Sequence, residues 1–131
     1  MNRVIQFLKD AEVVFIATAE PSGQPHIRPI GSIFDYEGSL YFCTKKGGSL
    51  YSELSANPKV ELSIKEDARW IRVAAEVAAD ESCGAKDAMV ISNPSLAQSP
   101  GFAIGDYAVY KLTRGSAAIC SFGTAPEIIT F

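Results

Sequence analysis

The chain has 131 residues, 47% of them hydrophobic and 21% charged, with a net charge of −3. That describes one globular domain spanning residues 1–131 and excludes a disordered chain or a general basic field for nucleic acid. No apolar run approaches the roughly 20 residues of a membrane span, and the N-terminus lacks a signal-peptide core, so the expected place is the cytoplasm, with no membrane partner.

Residues 2–11 put Val4, Leu8 and Ala11 at helical spacing, which predicts a short capping helix. Val13 to Ala19 is a continuous apolar, β-branched run, a buried strand. After the Glu20-Pro21-Ser22-Gly23 turn, Pro25 to Phe34 is extended, and its two prolines argue for an edge or an interrupted ladder. Asp35-Tyr36-Glu37-Gly38 turns the chain into a third strand, Leu40 to Thr44. Short turns predict that these three form an antiparallel meander.

Lys45-Lys46-Gly47-Gly48-Ser49 follows that strand at once. Glycines let a turn expose its N–H groups, and Ser49 is placed to N-cap a helix carrying Leu50 and Leu54 on one face. Asn57-Pro58 ends that helix. A strand feeding a cationic turn at a helix N-terminus is built as a phosphate cradle. The same spacing also describes an ordinary connection with solvated lysines, and the turn by itself does not separate the two.

Two clean alternations come next. Val60, Leu62 and Ile64 alternate with Glu61, Ser63 and Lys65; Ile71, Val73, Ala75, Val77 and Ala79 alternate with Trp70, Arg72 and Glu76. Asp80 or Ser82 caps a helix to about Ile91, and Asn93 to Gly101 is a proline-punctuated loop. Tyr107 to Thr113 and Ser116 to Phe122 read as a hairpin over Arg114-Gly115. The tail ends in Ile128, Ile129 and Phe131, which predicts docking on its own barrel or on a partner subunit. About seven short strands with accessory helices favour a small barrel, with a β-sandwich as the rival. Cys43, Cys83 and Cys120 form no C-x-x-C pair, and His26 is the lone histidine, so neither a disulfide framework nor a metal site is expected.

Four segments in this order carry a resemblance: Gly23-Gln24-Pro25-His26-Ile27-Arg28-Pro29, Leu40-Tyr41-Phe42-Cys43-Thr44, Asn57-Pro58-Lys59-Val60 and Arg69-Trp70-Ile71-Arg72-Val73. Nearly end to end, the chain resembles the pyridoxamine 5′-phosphate oxidase-like FMN-binding split barrels, in the small stand-alone branch similar to nitroimidazole-resistance proteins. The resemblance implies a mainly β fold: a six-stranded antiparallel split barrel of Greek-key character with short flanking helices. It implies a homodimer with two FMN sites at the interface. Arg28, Pro29 and Ile30 then run along the isoalloxazine, and Thr44, Lys45, Lys46, Gly47, Gly48 and Ser49 hold the phosphate.

There are departures. Ser49-Leu50 stands where the oxidase has an Arg-Lys pair that grips the phosphate, which leaves Lys45 and Lys46 to supply the charge. The oxidase's C-terminal substrate-binding arginine and histidine have no counterpart in Ser121-Phe122-Gly123-Thr124, which argues against vitamin B6 phosphates as substrate. Trp70 replaces a polar flavin contact. Arg28 faces the pyrimidine end of the flavin or forms a surface ion pair; Trp70 stacks at the flavin or interface or merely covers the rim. His26 touches substrate or is surface, and Phe122 closes the site from the other subunit or packs in the core. No residue is assigned to catalysis. The expected activity is flavin-dependent reduction of a small molecule with NAD(P)H as donor. A non-catalytic flavin carrier or sensor, and a barrel holding haem or a deazaflavin, are the alternatives.

Overall fold

Short-range alternation decides most of the architecture. The structure, a computed structural model, describes residues 1–131. Helix α1 (Asn2–Lys9) precedes strands β1 (Val14–Ala19), β2 (Pro25–Ile30), β3 (Phe34–Tyr36) and β4 (Ser39–Lys45). Helix α2 (Ser49–Ala56) leads to β5 (Lys59–Glu66) and β6 (Arg69–Ala79), then α3 (Cys83–Ser92) and α4 (Pro94–Ala97). A 3₁₀ turn (Ile104–Asp106), β7 (Tyr107–Ser121) and β8 (Glu127–Thr130) complete the chain. No helix is long and apolar enough to cross a membrane.

The strands form one sheet in the order β2-β1-β5-β6-β7-β4-β3, with β8 added beside β7 and every pairing antiparallel. Strands β2 and β3 lie at opposite ends of that order, yet only Gly31-Ser32-Ile33 joins them. Four Cα steps reach about 15 Å at most. The sheet must therefore curl until its two ends face each other across an unpaired seam, which is a split barrel. Here the expected meander fails: β2 pairs with β1 and β3 with β4, but β2 and β3 do not pair. The proline-rich stretch from Pro25 to Phe34 is two edges joined by a linker. The sheet has eight strands where the resemblance implied six.

The predicted hairpin over Arg114-Gly115 is also corrected, because β7 is one strand of 15 residues. Its register against β6 shifts between Glu76 and Val77, leaving Thr113 as the extra residue of a bulge. A Cβ on Gly115 would lie 2.2 Å from the Ala74 carbonyl oxygen and 2.8 Å from Ala75 Cα. Glycine permits this close backbone approach, and the bend lets β7 pair with β4 before the bulge and β8 after it. Gly115 and Phe131 then exchange backbone hydrogen bonds of 2.9 and 3.0 Å. The tail thus docks on its own barrel, with Ile129 and Phe131 packed against the core.

Inward residues of β5 and β6 match the alternation, and Leu62, Ile71 and Val73 are fully buried. Helix α1 closes one end with Val4 and Leu8. Strand β4 is apolar on both faces for a reason. Leu40 and Phe42 point into the barrel, while Tyr41 and Cys43 join Phe34, Ala85, Met89 and Val109 in a second cluster beneath α3. Ser82 caps α3 by accepting from Ala85 N at 3.2 Å. Asp80 accepts from Ser82 N (3.0 Å) and from the Tyr41 hydroxyl (2.9 Å), tying the cap to the sheet. Gly48, not Ser49, is the N-cap of α2, and no side chain caps it. Part of the expected loop after Asn93 is helix α4, opened by Pro94.

Burial, then the Asp80 hydrogen bond, pushes the Tyr41 phenol from 10.0 up to about 12, and burial does the same to Tyr110. Both favour the neutral phenol in the fold, so their stabilisation is complete below pH 10.0 and is lost as the pH climbs toward about 12. Urea midpoints should fall across that window, and Tyr41→Phe should fall less steeply than wild type. Gly115→Ala should lower stability by about 1–3 kcal/mol in urea unfolding, through the forced shift of β6.

Candidate functional site

The turn from β4 into α2 gathers Thr44, Lys45, Lys46, Gly47, Gly48 and Ser49 at one place. Lys46 N donates to Asp106 O (2.9 Å) and Gly48 N to Lys45 O (3.1 Å), which fixes the turn against the start of β7. An open hollow of about 500 Å³ lies here, lined by Lys45, Lys46, Gly47, Gly48, Gly105 and Asp106. A Cβ on Gly47 would meet nothing within 4 Å, so glycine leaves this wall bare. With no side-chain cap, and with Ser52 N the first to bond back into the helix, the N–H groups of Ser49, Leu50 and Tyr51 have no acceptor in the chain. Two lysines and a helix N-terminus around an open hollow suit an anion. Lys46 is loosely paired with Glu81 at 3.8 Å, while the Lys45 ammonium lies 6.0 Å from the Tyr107 ring centroid.

A second hollow, of about 540 Å³, adjoins this one across Tyr107. The β2–β3 linker, the end of β4 and the α3–α4 junction enclose it, with Ser32, Cys43, Ser92, Asn93 and Ser95 on its walls. Ser32 Oγ donates to Cys43 O (3.0 Å) and accepts from Cys43 N (3.4 Å), so a side chain continues the β3–β4 pairing beyond Phe34. Burial pushes the Cys43 thiol up, which keeps it protonated. None of these wall residues was expected from sequence. Ser32 and Asn93 carry no local motif, and Tyr107 reaches the site only through its register with Lys45.

Arg28 is neither a free cation nor a surface pair. Its Nη2 donates to Glu53 Oε2 (2.7 Å) and its Nη1 to Thr18 Oγ1 (3.0 Å), while Thr18 Oγ1 donates to Glu53 Oε1 (3.2 Å). The Arg28 and Glu53 side chains are 21% and 11% exposed, and Thr18 is the one buried polar residue. The closed triad ties β1 and β2 to α2, one helical turn below its N-terminus. The signals for it were Thr18 inside an apolar run and Glu53 four residues after Ser49.

The remaining expected residues divide. Pro29 is exposed on the outer face, paired with Phe15, whereas Ile30 is buried. His26 Nε2 bonds Glu20 Oε1 at 2.8 Å on the exposed β1–β2 turn. Trp70 and Phe122 do meet, with ring centroids 4.9 Å apart, and Phe122 is 81% exposed. They lie at the far end of β7, however: Trp70 pairs with Cys120 while Lys45 pairs with Tyr107. Those thirteen steps are roughly 40 Å of strand contour. One chain therefore assembles the turn and its hollows but does not bring the Trp70–Phe122 pair to them.

The family described as pyridoxamine 5′-phosphate oxidase matches residues 2–113. Among solved structures, a NimC/NimA family protein from Clostridium acetobutylicum is 35% identical, with a TM-score of 0.90 over 100% of this chain and 92% of that one. A heme binding protein from Mycobacterium smegmatis is 15% identical, with a TM-score of 0.76 over 96% of this chain and 55% of that one. General Stress Protein 26 from Bacillus anthracis is 16% identical, with a TM-score of 0.73 over 99% of this chain and 97% of that one. The last two likenesses bear on the fold alone. No curated protein sequence matches the chain. The family match covers the strand, turn and helix that make the first hollow and both walls of the seam, and the chain belongs to the pyridoxamine 5′-phosphate oxidase family.

Proposed function

We propose that the protein binds FMN and acts as a flavin-dependent oxidoreductase on a small molecule, with NAD(P)H as electron donor. The observation that carries this reading is the turn from Thr44 to Ser49. In a chain of this family, an open hollow with two lysines adjoins three helix N–H groups that lack acceptors. Lys45, Lys46 and the N–H groups of Ser49, Leu50 and Tyr51 would hold the phosphate, with charge-assisted bonds that riboflavin cannot make. The seam beside Ile30, next to the second hollow, would take the ring. Arg28, neutralised by Glu53, holds β2 against α2 and so fixes the distance between the ring's strand and the phosphate's helix. FMN supplies the electron and hydride chemistry, and the chain supplies position and exclusion of water.

The reading includes a homodimer. A register row runs Pro29, Phe15, Ser63, Arg72, Ala118, Ile128 across the outer face of six strands. Phe15 is 45% and Ile128 60% exposed there, Ile27 stands 70% exposed in the next row, and no helix covers them. This exposed face, apolar at Phe15, Ile27 and Ile128 with the Arg72–Glu61 ion pair between them, fits a second copy of the chain. A second copy on it would bring Trp70 and Phe122 of the partner subunit toward the hollows that one chain leaves open.

A haem is less well suited to this chain. Haem iron takes an axial His, Cys, Met or Tyr. His26 is engaged by Glu20 away from both hollows and burial keeps the Cys43 thiol protonated, which leaves the Tyr107 hydroxyl as the one candidate ligand on the seam hollow. Bleaching of a bound flavin by NAD(P)H in stopped-flow absorbance separates an oxidoreductase from a carrier, which would hold the flavin without reducing it.

Replacing Lys45 and Lys46 together by Ala should weaken FMN binding by about 1.5–3 kcal/mol for each bond lost and leave riboflavin binding nearly unchanged. Fluorescence quenching checks this, and equal wild-type affinities for FMN and riboflavin would contradict the phosphate assignment. Phe15→Glu with Ile27→Glu should convert the dimer to monomer in sedimentation and weaken flavin binding at least tenfold. A wild-type monomer at micromolar concentration with flavin bound would rule out the shared site.

A further inference from the structure

We propose that the hollow at the seam is the substrate site and that it selects an uncharged, hydrogen-bonding small molecule and rejects anions. The proposal rests on the FMN reading for its role and on the chain's own residues for its selectivity. No Lys, Arg, His, Asp or Glu lines the hollow. Its only titratable groups are the Tyr107 phenol and the Cys43 thiol, whose pKa burial raises.

The walls are nonetheless polar. The hydroxyls of Ser92, Ser95 and Tyr107 form no hydrogen bond within the chain, whereas Ser32 is engaged at the seam. Asn93 donates its amide N–H to Met89 O at 2.8 Å, which leaves its side-chain oxygen as a free acceptor. Three open hydroxyls, each donor and acceptor, and one open amide oxygen match a ligand with carbonyl, amide, nitro or hydroxyl groups.

The nearby cations are already engaged. Lys86 donates to Tyr107 O at 2.5 Å, lies 3.3 Å from Glu81 and has a side chain only 12% exposed. Arg28 is held by Glu53 at 2.7 Å. Lys45 and Lys46, the latter only loosely paired with Glu81 at 3.8 Å, line the other hollow. The charges around the two hollows thus suit one phosphate, the cofactor's. A second anion would surrender hydration with no free cation to replace it.

The test is an amide NMR titration of the FMN-loaded protein with two matched pairs: nicotinamide against nicotinate, and pyridoxine against pyridoxine 5′-phosphate. The neutral members should shift the amides of Gly31, Ser32, Asn93 and Ser95, with affinity at least tenfold above the anionic members. Ser95→Arg and Ser92→Arg, both at exposed positions, should each improve binding of the anionic members at least tenfold. Equal or tighter binding of the anions to wild type, or no shift at those amides with any neutral member, would overturn the proposal. FMN affinity is measured in parallel. Loss of FMN binding with the neutral-over-anion preference intact at those amides would overturn the cofactor reading and keep this selectivity.

Discussion

Everything in the molecule depends on the three-residue linker Gly31-Ser32-Ile33. It joins strands at the two opposite ends of the sheet order, and so it forces the sheet to close. Because β2 and β3 do not pair, closure leaves a seam, and backbone polar groups along a seam need other partners. Ser32 satisfies both backbone groups of Cys43, and the space beside it remains open as a hollow. A fully zipped barrel would have no such opening. The split is thus both a defect in the ladder and the origin of the candidate site.

Charge is the second organising feature. The barrel's flank carries several cations, but ion pairs hold most of them to the fold. The Arg28–Glu53 pair is partly buried and bonded further by Thr18, so removing either partner would leave an uncompensated charge. This makes Arg28 a brace between β2 and α2, and shifts the task of meeting an anion to Lys45, Lys46 and the helix N-terminus. In its charge distribution the site separates an anion-holding end from a neutral end, with Tyr107 as the wall between them.

Much of the fold was legible because its signals were local. The alternation in β5 and β6, the Asn57-Pro58 stop and the Ser82 cap all depend on residues a few positions apart. The misreadings came from long-range pairing. Arg114-Gly115 has the composition of a hairpin turn, but Gly115 is there because Ala74 and Ala75 press on it from another strand. Pro25 and Pro29 marked an edge or a broken ladder, and β2 is an edge, but nothing local placed the break at Gly31-Ser32-Ile33. For the site, the Lys45–Ser49 turn was visible as contiguous sequence. The seam hollow was not, since Ser32, Cys43, Asn93 and Tyr107 meet only after closure. Arg28 was found, but its partner Glu53 lies 25 positions away.

A crystal structure of the protein with FMN tests the central claim most directly. The account predicts the phosphate within hydrogen-bond distance of Lys45 Nζ and of the N–H groups opening α2, in a dimer whose second subunit brings Trp70 and Phe122 against the ring. A phosphate bound away from the Lys45–Ser49 turn, or a flavin enclosed entirely by one subunit, would contradict it.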